Sequence, residues 1–414
     1  MLRLKVCEYL VGPVAVFAAA YIGLLWLNGR QVGQFAPLPA ALRLPHVCPG
    51  PVAAEFKRFP GRTEPLRSLP KFDPKHPNFS VDLRSRDASA LDLRASASDL
   101  EHADFDSVTK WPPQKRMPCA YDVSSVMKLG KNPGLGIRSL HNSGITGRGV
   151  AIAIIDQSLL TQHEEYARQL QWYEQLGDSN GACCSMHGPA VASIAVGRTV
   201  GVAPDADLFY VAFEPRSVAI LLGGYALCLR RLLEIDARLP KARKIRAISM
   251  SIGYGEETPG YPEFTAAVHE AEAQGIFVTW CGSREFPVRG LSVSSSGNRE
   301  DFGAYGLPEW MQKSDLQWGT GLYVPMDART TASPTGPNDY AHYGAGGFSW
   351  TVPYMAGAYA LAAQVDPDIA PKRFWSLAMK TGRTIQVTVR GRPHALGPIL
   401  DMPALIRALR VEKR

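Results

Sequence analysis

The pattern of apolar and polar positions changes character twice along this chain. Residues 9–27 (YLVGPVAVFAAAYIGLLWL) form an uncharged apolar run, preceded by Arg3 and Lys5 and closed by Asn28-Gly29-Arg30. A run of about 20 such residues suffices to cross a bilayer as a helix, and a basic leader favours the cytoplasmic side. The pattern therefore predicts a signal anchor or a cleaved signal peptide over residues 1–30. Ala18-Ala19-Ala20 is small enough for cleavage, although it lies inside the run rather than after it. Both readings carry the rest of the chain out of the cytoplasm. Residues 31–135 then read as a Pro-, Arg- and Asp-rich extension with little sustained periodicity: a linker, a propeptide or a cap. Its one internal echo is Asp82-Leu83-Arg84, repeated as Asp92-Leu93-Arg94, too little to predict a solenoid.

After Gly134 the pattern becomes that of a globular core. Residues 150–155 (VAIAII) are continuously apolar, as a parallel strand buried on both faces requires. Similar runs follow at 208–212, 247–250 and 276–280. Helical stretches are expected between them at 189–196, 226–233 and 263–274. The last carries Phe264, Ala267, Val268 and Ala271 on one face and stops at Gly275. Alternating strands and helices predict an α/β domain: a parallel sheet flanked by helices on both faces, over residues 136–411. Catalytic groups in such folds lie at the strand C-terminal ends and the adjoining helix N-termini.

Composition alters this picture little. The chain has 414 residues, with 45 basic and 38 acidic side chains, for a net charge of +7. No dense basic run with interleaved aromatics points to nucleic acid. Seven cysteines and nine histidines include no CxxC pair and no HExxH, so no zinc site is expected. Beyond the apolar run lie Cys48, Cys119, Cys183, Cys184, Cys228 and Cys281. Disulfides are permitted outside the cytoplasm, but their pairing cannot be read from spacing.

Three segments carry candidate chemistry. Asp156 ends the first strand (AIAIIDQSL), His187 stands where a loop enters a helix (CCSMHGPAVASIAVG), and Ser349 precedes an apolar helix (GAGGFSWTVPYMAGAYALAAQV). A serine hydroxyl becomes a good nucleophile when an imidazole takes its proton. A carboxylate must in turn fix that imidazole's tautomer and stabilise its charged form. Taken singly, each residue also has a plain structural reading, as a turn residue, a helix-start histidine and an N-cap. It is their order and context together that favour catalysis.

Those segments resemble the subtilisin-like serine peptidases. The order Asp, His, Ser is that family's. GRGVAIAIIDQSLLTQHEEY resembles its aspartate segment, with His163 seven residues after the aspartate. HGPAVASIAVGRTVGVAPDADLFYVAF resembles its histidine segment, and AISMSIG the segment lining the substrate cleft. GGFSWTVPYMAGAYALAAQV resembles the serine segment, and GPILDMPALI the closing element. The resemblance spans residues 136–409. It implies an Asp156–His187–Ser349 triad, a polypeptide substrate held on the backbone of Ser251, Ile252 and Gly253, and no cofactor. Gly282-Ser283 stands where the family has Gly-Asn, so Ser283 takes the oxyanion position.

The resemblance thus implies a serine endopeptidase working through an acyl-enzyme. The alternatives are an esterase on the same triad and a catalytically weakened binding or scaffold protein. The scaffold reading is motivated by Ser283 and by Gly347-Phe348-Ser349-Trp350-Thr351, where the family has Gly-Thr-Ser-Met-Ala. Retention of all three triad residues argues against it. Only Gly197-Arg198-Thr199-Val200 separates Val196 from the Gly201-Val202-Ala203-Pro204 turn, where many relatives insert a calcium loop. Glu165 stands where the family often has a carboxylate ligand. So short a connection cannot supply the six to eight oxygens calcium prefers, and weak calcium dependence is expected. Cys183 and Cys184 lie close enough to His187 for their redox state to matter there, as a structural disulfide or a redox switch.

Overall fold

The computed structural model describes residues 34–39, 41–48, 64–176, 186–215, 217–313 and 321–412. Its centre is a six-stranded, all-parallel sheet. The strands are β1 (His46–Val47), β2 (Ala151–Asp156), β3 (Leu170–Leu176), β4 (Asp207–Phe213), β5 (Ile245–Met250) and β6 (Phe277–Trp280), in the spatial order β1-β3-β4-β2-β5-β6. The apolar runs read from the sequence coincide, to within a residue or so, with β2, β4, β5 and β6, and β2 shows why. Side chains alternate across a strand. Ile152 and Ile154 enter one core, while Ala151, Ala153 and Ile155 enter a second on the other face. In β4, Leu208, Tyr210 and Ala212 serve the first core and Phe209, Val211 and Phe213 the second. Both faces are dry, so neither strand can carry a polar stripe.

Helices α1 (His187–Val196) and α4 (Thr351–Val365) fill the first face, and α2 (Val218–Arg238) and α3 (Tyr261–Ala273) the second. Apolar residues surround α4 on all sides because protein does too: it is buried from Thr351 to Ala363. Gly357 lets it approach the α1 region closely, since a Cβ there would stand 2.7 Å from Val202 Cβ and 3.2 Å from the Ala195 carbonyl oxygen. Helix α2 begins eight residues before the stretch expected at 226–233, through Gly223-Gly224. Gly224 lies against the Phe213 ring, 2.0 Å from where a Cβ would be.

Residues 64–135 fold onto this body. Their strands Val81–Asp82 and Ala103–Asp106 join the hairpin Arg329–Ala332 and Tyr340–Tyr343 in one sheet, just ahead of Ser349. The two Asp-Leu-Arg triplets fold alike. Leu83 and Leu93 are buried in the same small core, and in each triplet the arginine Nε donates to its aspartate at 2.9 Å. Residues 34–39 and 41–48 lie along α2. Phe35, Leu38, Leu42 and Leu44 pack on the second core, and Arg231 bridges the Ala36 carbonyl and Glu174.

A third sheet, from Val288–Leu291, Leu322–Pro325, Arg383–Val389 and Arg392–Ile399, completes the chain with the helix Met402–Glu412. The described residues contain no helix long and apolar enough to cross a membrane. The run at 9–27 lies outside them, as do Cys183 and Cys184.

Candidate active site

Asp156 is the last residue of β2, at the sheet's C-terminal edge, and His187 is the first residue of α1. The imidazole Nδ1 and the Asp156 Oδ1 are 2.6 Å apart, with the aspartate side chain 3% exposed and the histidine 23%. The same carboxylate oxygen accepts the Gln157 N–H at 2.8 Å. Such a short charge-assisted contact fixes the proton on Nδ1 and leaves Nε2 as the basic nitrogen. Burial opposes charging His187. The charge and hydrogen bond of Asp156 outweigh that cost, so the imidazole pKa stands above its ordinary value.

Gly188 makes the approach possible. A Cβ at this position would stand 2.5 Å from the carbonyl oxygens of both Gln157 and Ser158. The first turn of α1 thus rests directly on the chain leaving Asp156. Tyr210 clamps that chain from β4 by donating its hydroxyl to the Gln157 carbonyl. Ser158 donates both its N–H and its hydroxyl to Glu214, at 3.1 and 2.6 Å.

Ser349 occupies a single 3₁₀ turn, Phe348–Trp350, that runs straight into α4. Gly347 precedes it with φ 71°, a backbone conformation strained for any other residue. N–H groups in the first turn of a helix have no intrahelical acceptor. The Ser349 carbonyl accepts the Ser251 hydroxyl at 2.9 Å, pinning the serine turn to the end of β5. The Trp350 ring lies 5.4 Å, centroid to centroid, from that of His187. This places the serine turn beside the imidazole.

The remaining predicted residues lie on the segments that leave β5 and β6. Ser251, Ile252 and Gly253 follow β5, and Ser283 follows β6. The Ile252 N–H and carbonyl are both taken, by the Met250 carbonyl at 2.8 Å and the Cys281 N–H at 2.9 Å. Gly253 runs beside Cys281, 3.1 Å from where its Cβ would be. The Ser283 hydroxyl accepts the Phe286 N–H at 3.1 Å, which fixes its oxygen and leaves its proton to donate. Trp350 and Tyr210 are supporting residues that the sequence did not single out. Only their positions, next to the serine and on the strand beside β2, could have suggested them.

Glu165 is fully buried. It accepts the Thr199 N–H at 2.8 Å, the Val200 N–H at 3.2 Å, the Tyr340 hydroxyl at 2.6 Å and the Thr199 hydroxyl. Protein donors thus occupy its oxygens. Cys48, Cys119 and Cys228 carry free thiols.

Fold and site together define an α/β protein with a carboxylate–imidazole pair at its sheet edge, beside a serine at a helix start. A model of the subtilase family (Peptidase_S8) matches residues 147–332, which hold Asp156 and His187 and end before Ser349. Over those residues the chain is similar to that family. An alkaline proteinase of Hapsidospora chrysogena is 27% identical over 237 residues, covering 54% of this chain and 56% of that protein. The subtilisin-like protease PopC of Myxococcus xanthus is 27% identical over 272 residues, covering 56% and 55%. The chain thus spans little more than half the length of these two relatives. Among solved structures, the prenylagaramide maturation protease PagA aligns with a TM-score of 0.47 at 15% identity, over 66% of this chain and 98% of that one.

Proposed function

We propose that this protein is a serine endopeptidase that hydrolyses peptide bonds through an acyl-enzyme. The observation that carries the reading is the 2.6 Å contact between a buried Asp156 and His187, set beside the serine turn. In this mechanism Asp156 orients the imidazole and stabilises its charge. His187 takes the Ser349 proton as Ser349 Oγ attacks the carbonyl carbon, then gives it to the leaving amine. Water repeats the sequence to release the acyl group. The Ser349 N–H and the Ser283 hydroxyl are the donors assigned to the oxyanion. With Ile252 committed internally, Ser251 and Gly253 are the backbone offered to an extended peptide.

We assign residues 64–135 as an integral cap, because their strands share a sheet with the hairpin that leads to Ser349. The basic leader and apolar run at 1–30 support work outside the cytoplasm, anchored or secreted. Cleavage of an unfolded polypeptide tests the function. Wild type should cleave it, and Asp156→Asn, His187→Ala and Ser349→Ala should each lose activity by about 10⁴ or more while remaining folded. Full activity in any of the three removes that residue from the mechanism.

A further inference from the structure

Behind the nucleophile helix lies a polar island that the proposed reaction does not use. Arg329 and Arg299 are buried, with 0% and 2% of their surfaces exposed. Arg329 opens the strand Arg329–Ala332. Arg299 reaches it by donating to the carbonyl of Ala328, the residue just before. Beyond that bond and one from Arg329 to the Val200 carbonyl at 3.2 Å, the Nε and one terminal nitrogen of both guanidiniums make no hydrogen bond. The buried Tyr354 hydroxyl, one helical turn beyond Ser349 on α4, is likewise unsatisfied. Tyr354 and Tyr305 both lie within electrostatic reach of Arg329.

No carboxylate among the described residues pairs with either arginine. Of the acidic groups nearby, Asp327 lies within electrostatic reach of Arg299, and Glu300 is committed elsewhere. Asp327 accepts the Gly346 N–H at 2.9 Å. Glu300 accepts the Asn132 side chain at 2.9 Å and the Gly136 N–H at 2.7 Å. Burial lowers both guanidinium pKa values, that of Arg329 to about 10, so both remain charged at neutral pH. Asp327 offsets part of the Arg299 charge, but Arg329 has no carboxylate against it, and two buried like charges that share one carboxylate are costly to hold. Water would satisfy their N–H groups but would not neutralise them.

We propose that Arg299 and Arg329, with the Tyr354 hydroxyl, form a buried binding site for a small monovalent anion of the chloride class. A spherical anion accepts several N–H and O–H donors without directional demand and removes the positive charge left uncompensated. The site ties the hairpin leading to Ser349 to the helix that follows it, so occupancy stabilises the fold around the active site.

Bromide, which substitutes for chloride and scatters anomalously, tests this on the full-length protein. Crystals grown in bromide should show an anomalous peak within hydrogen-bond reach of both guanidiniums. At fixed ionic strength, Tm in chloride should exceed that in gluconate by a few degrees, by binding linkage. Arg329→Met should lose both the peak and the chloride effect, with Tm in gluconate no lower than wild type, because an uncompensated charge has gone. The absence of a bromide peak, with ordered water alone between the guanidiniums, overturns the proposal even if the variant fails to fold. A chloride effect unchanged in a folded Arg329→Met protein does so too.

Discussion

Replacing Ser283 tests two roles at once, one that the structure gives its hydroxyl and one that the proposed mechanism assigns to it. Its oxygen accepts the N–H of Phe286, a residue 2% exposed, and its proton is assigned to the oxyanion. Ser283→Ala leaves that N–H without its acceptor, at a cost of about 1–3 kcal/mol. For a chain of this size the loss lowers Tm by roughly 1–4 °C. The catalytic cost is separate. Removing one full oxyanion donor costs on the order of 10²–10³ in kcat, or ~2.7–4 kcal/mol, a magnitude borrowed from subtilisin itself. A serine hydroxyl is shorter than an asparagine amide and is already tied to Phe286. Ser283→Ala should therefore lower kcat by less than that range. Ser283→Asn extends the donor and should raise kcat with little change in KM, the signature of an interaction made mainly in the transition state. Steady-state kinetics on a peptide amide, paired with thermal unfolding, separates the two effects. If Ser283→Ala lowers Tm but leaves kcat unaltered, and Ser283→Asn abolishes activity, the hydroxyl only holds its turn and another group binds the oxyanion.

Other consequences can be checked on the same preparations. With its pKa raised by Asp156, His187 should place the acid limb of kcat/KM above the ordinary histidine value of about 6.5. Asp156→Asn removes the opposing charge but not the burial, so any residual activity should titrate at lower pH. An unshifted limb would remove His187 as the base. The same raised pKa makes the pair stabilising below the unfolded histidine pKa, and this contribution fades as pH rises through the folded value. Because Glu165 is filled by protein donors, chelator should move Tm by no more than about 1 °C. A large drop would reveal a metal site. Gly188→Ala should lower activity and Tm together, since its methyl group would meet two carbonyl oxygens at 2.5 Å. An unchanged melting curve would show that the turn after Asp156 can yield.

The sequence revealed the parts of this molecule in which one physical requirement dominates. A strand dry on both faces must be apolar throughout, and β2, β4, β5 and β6 were legible for that reason. Asp156, His187 and Ser349 stood out as candidates because each sits at a boundary between strand or loop and helix. The structure brings the three boundaries to one edge of the sheet. Residues 64–135 were not legible. Their core relies on isolated leucines such as Leu83 and Leu93 in turns held by Asp–Arg pairs, and short turns leave no helical or strand period. The Ile252 contacts with Met250 and Cys281, and the Phe286 N–H on Ser283, arise from folding distant or looped segments together. No local pattern encodes them. Gly188 and Gly357 mark close approaches whose partners become visible only in three dimensions.

The most direct test of the central claim is labelling by a fluorophosphonate, which reacts with a serine only when a neighbouring base activates it. The folded wild-type protein should be labelled at Ser349, with labelling abolished by Ser349→Ala, strongly reduced by His187→Ala and lost on unfolding. Well-folded wild-type protein that remains unlabelled, or is labelled equally after Ser349→Ala, would contradict the assignment of Ser349 as an activated nucleophile.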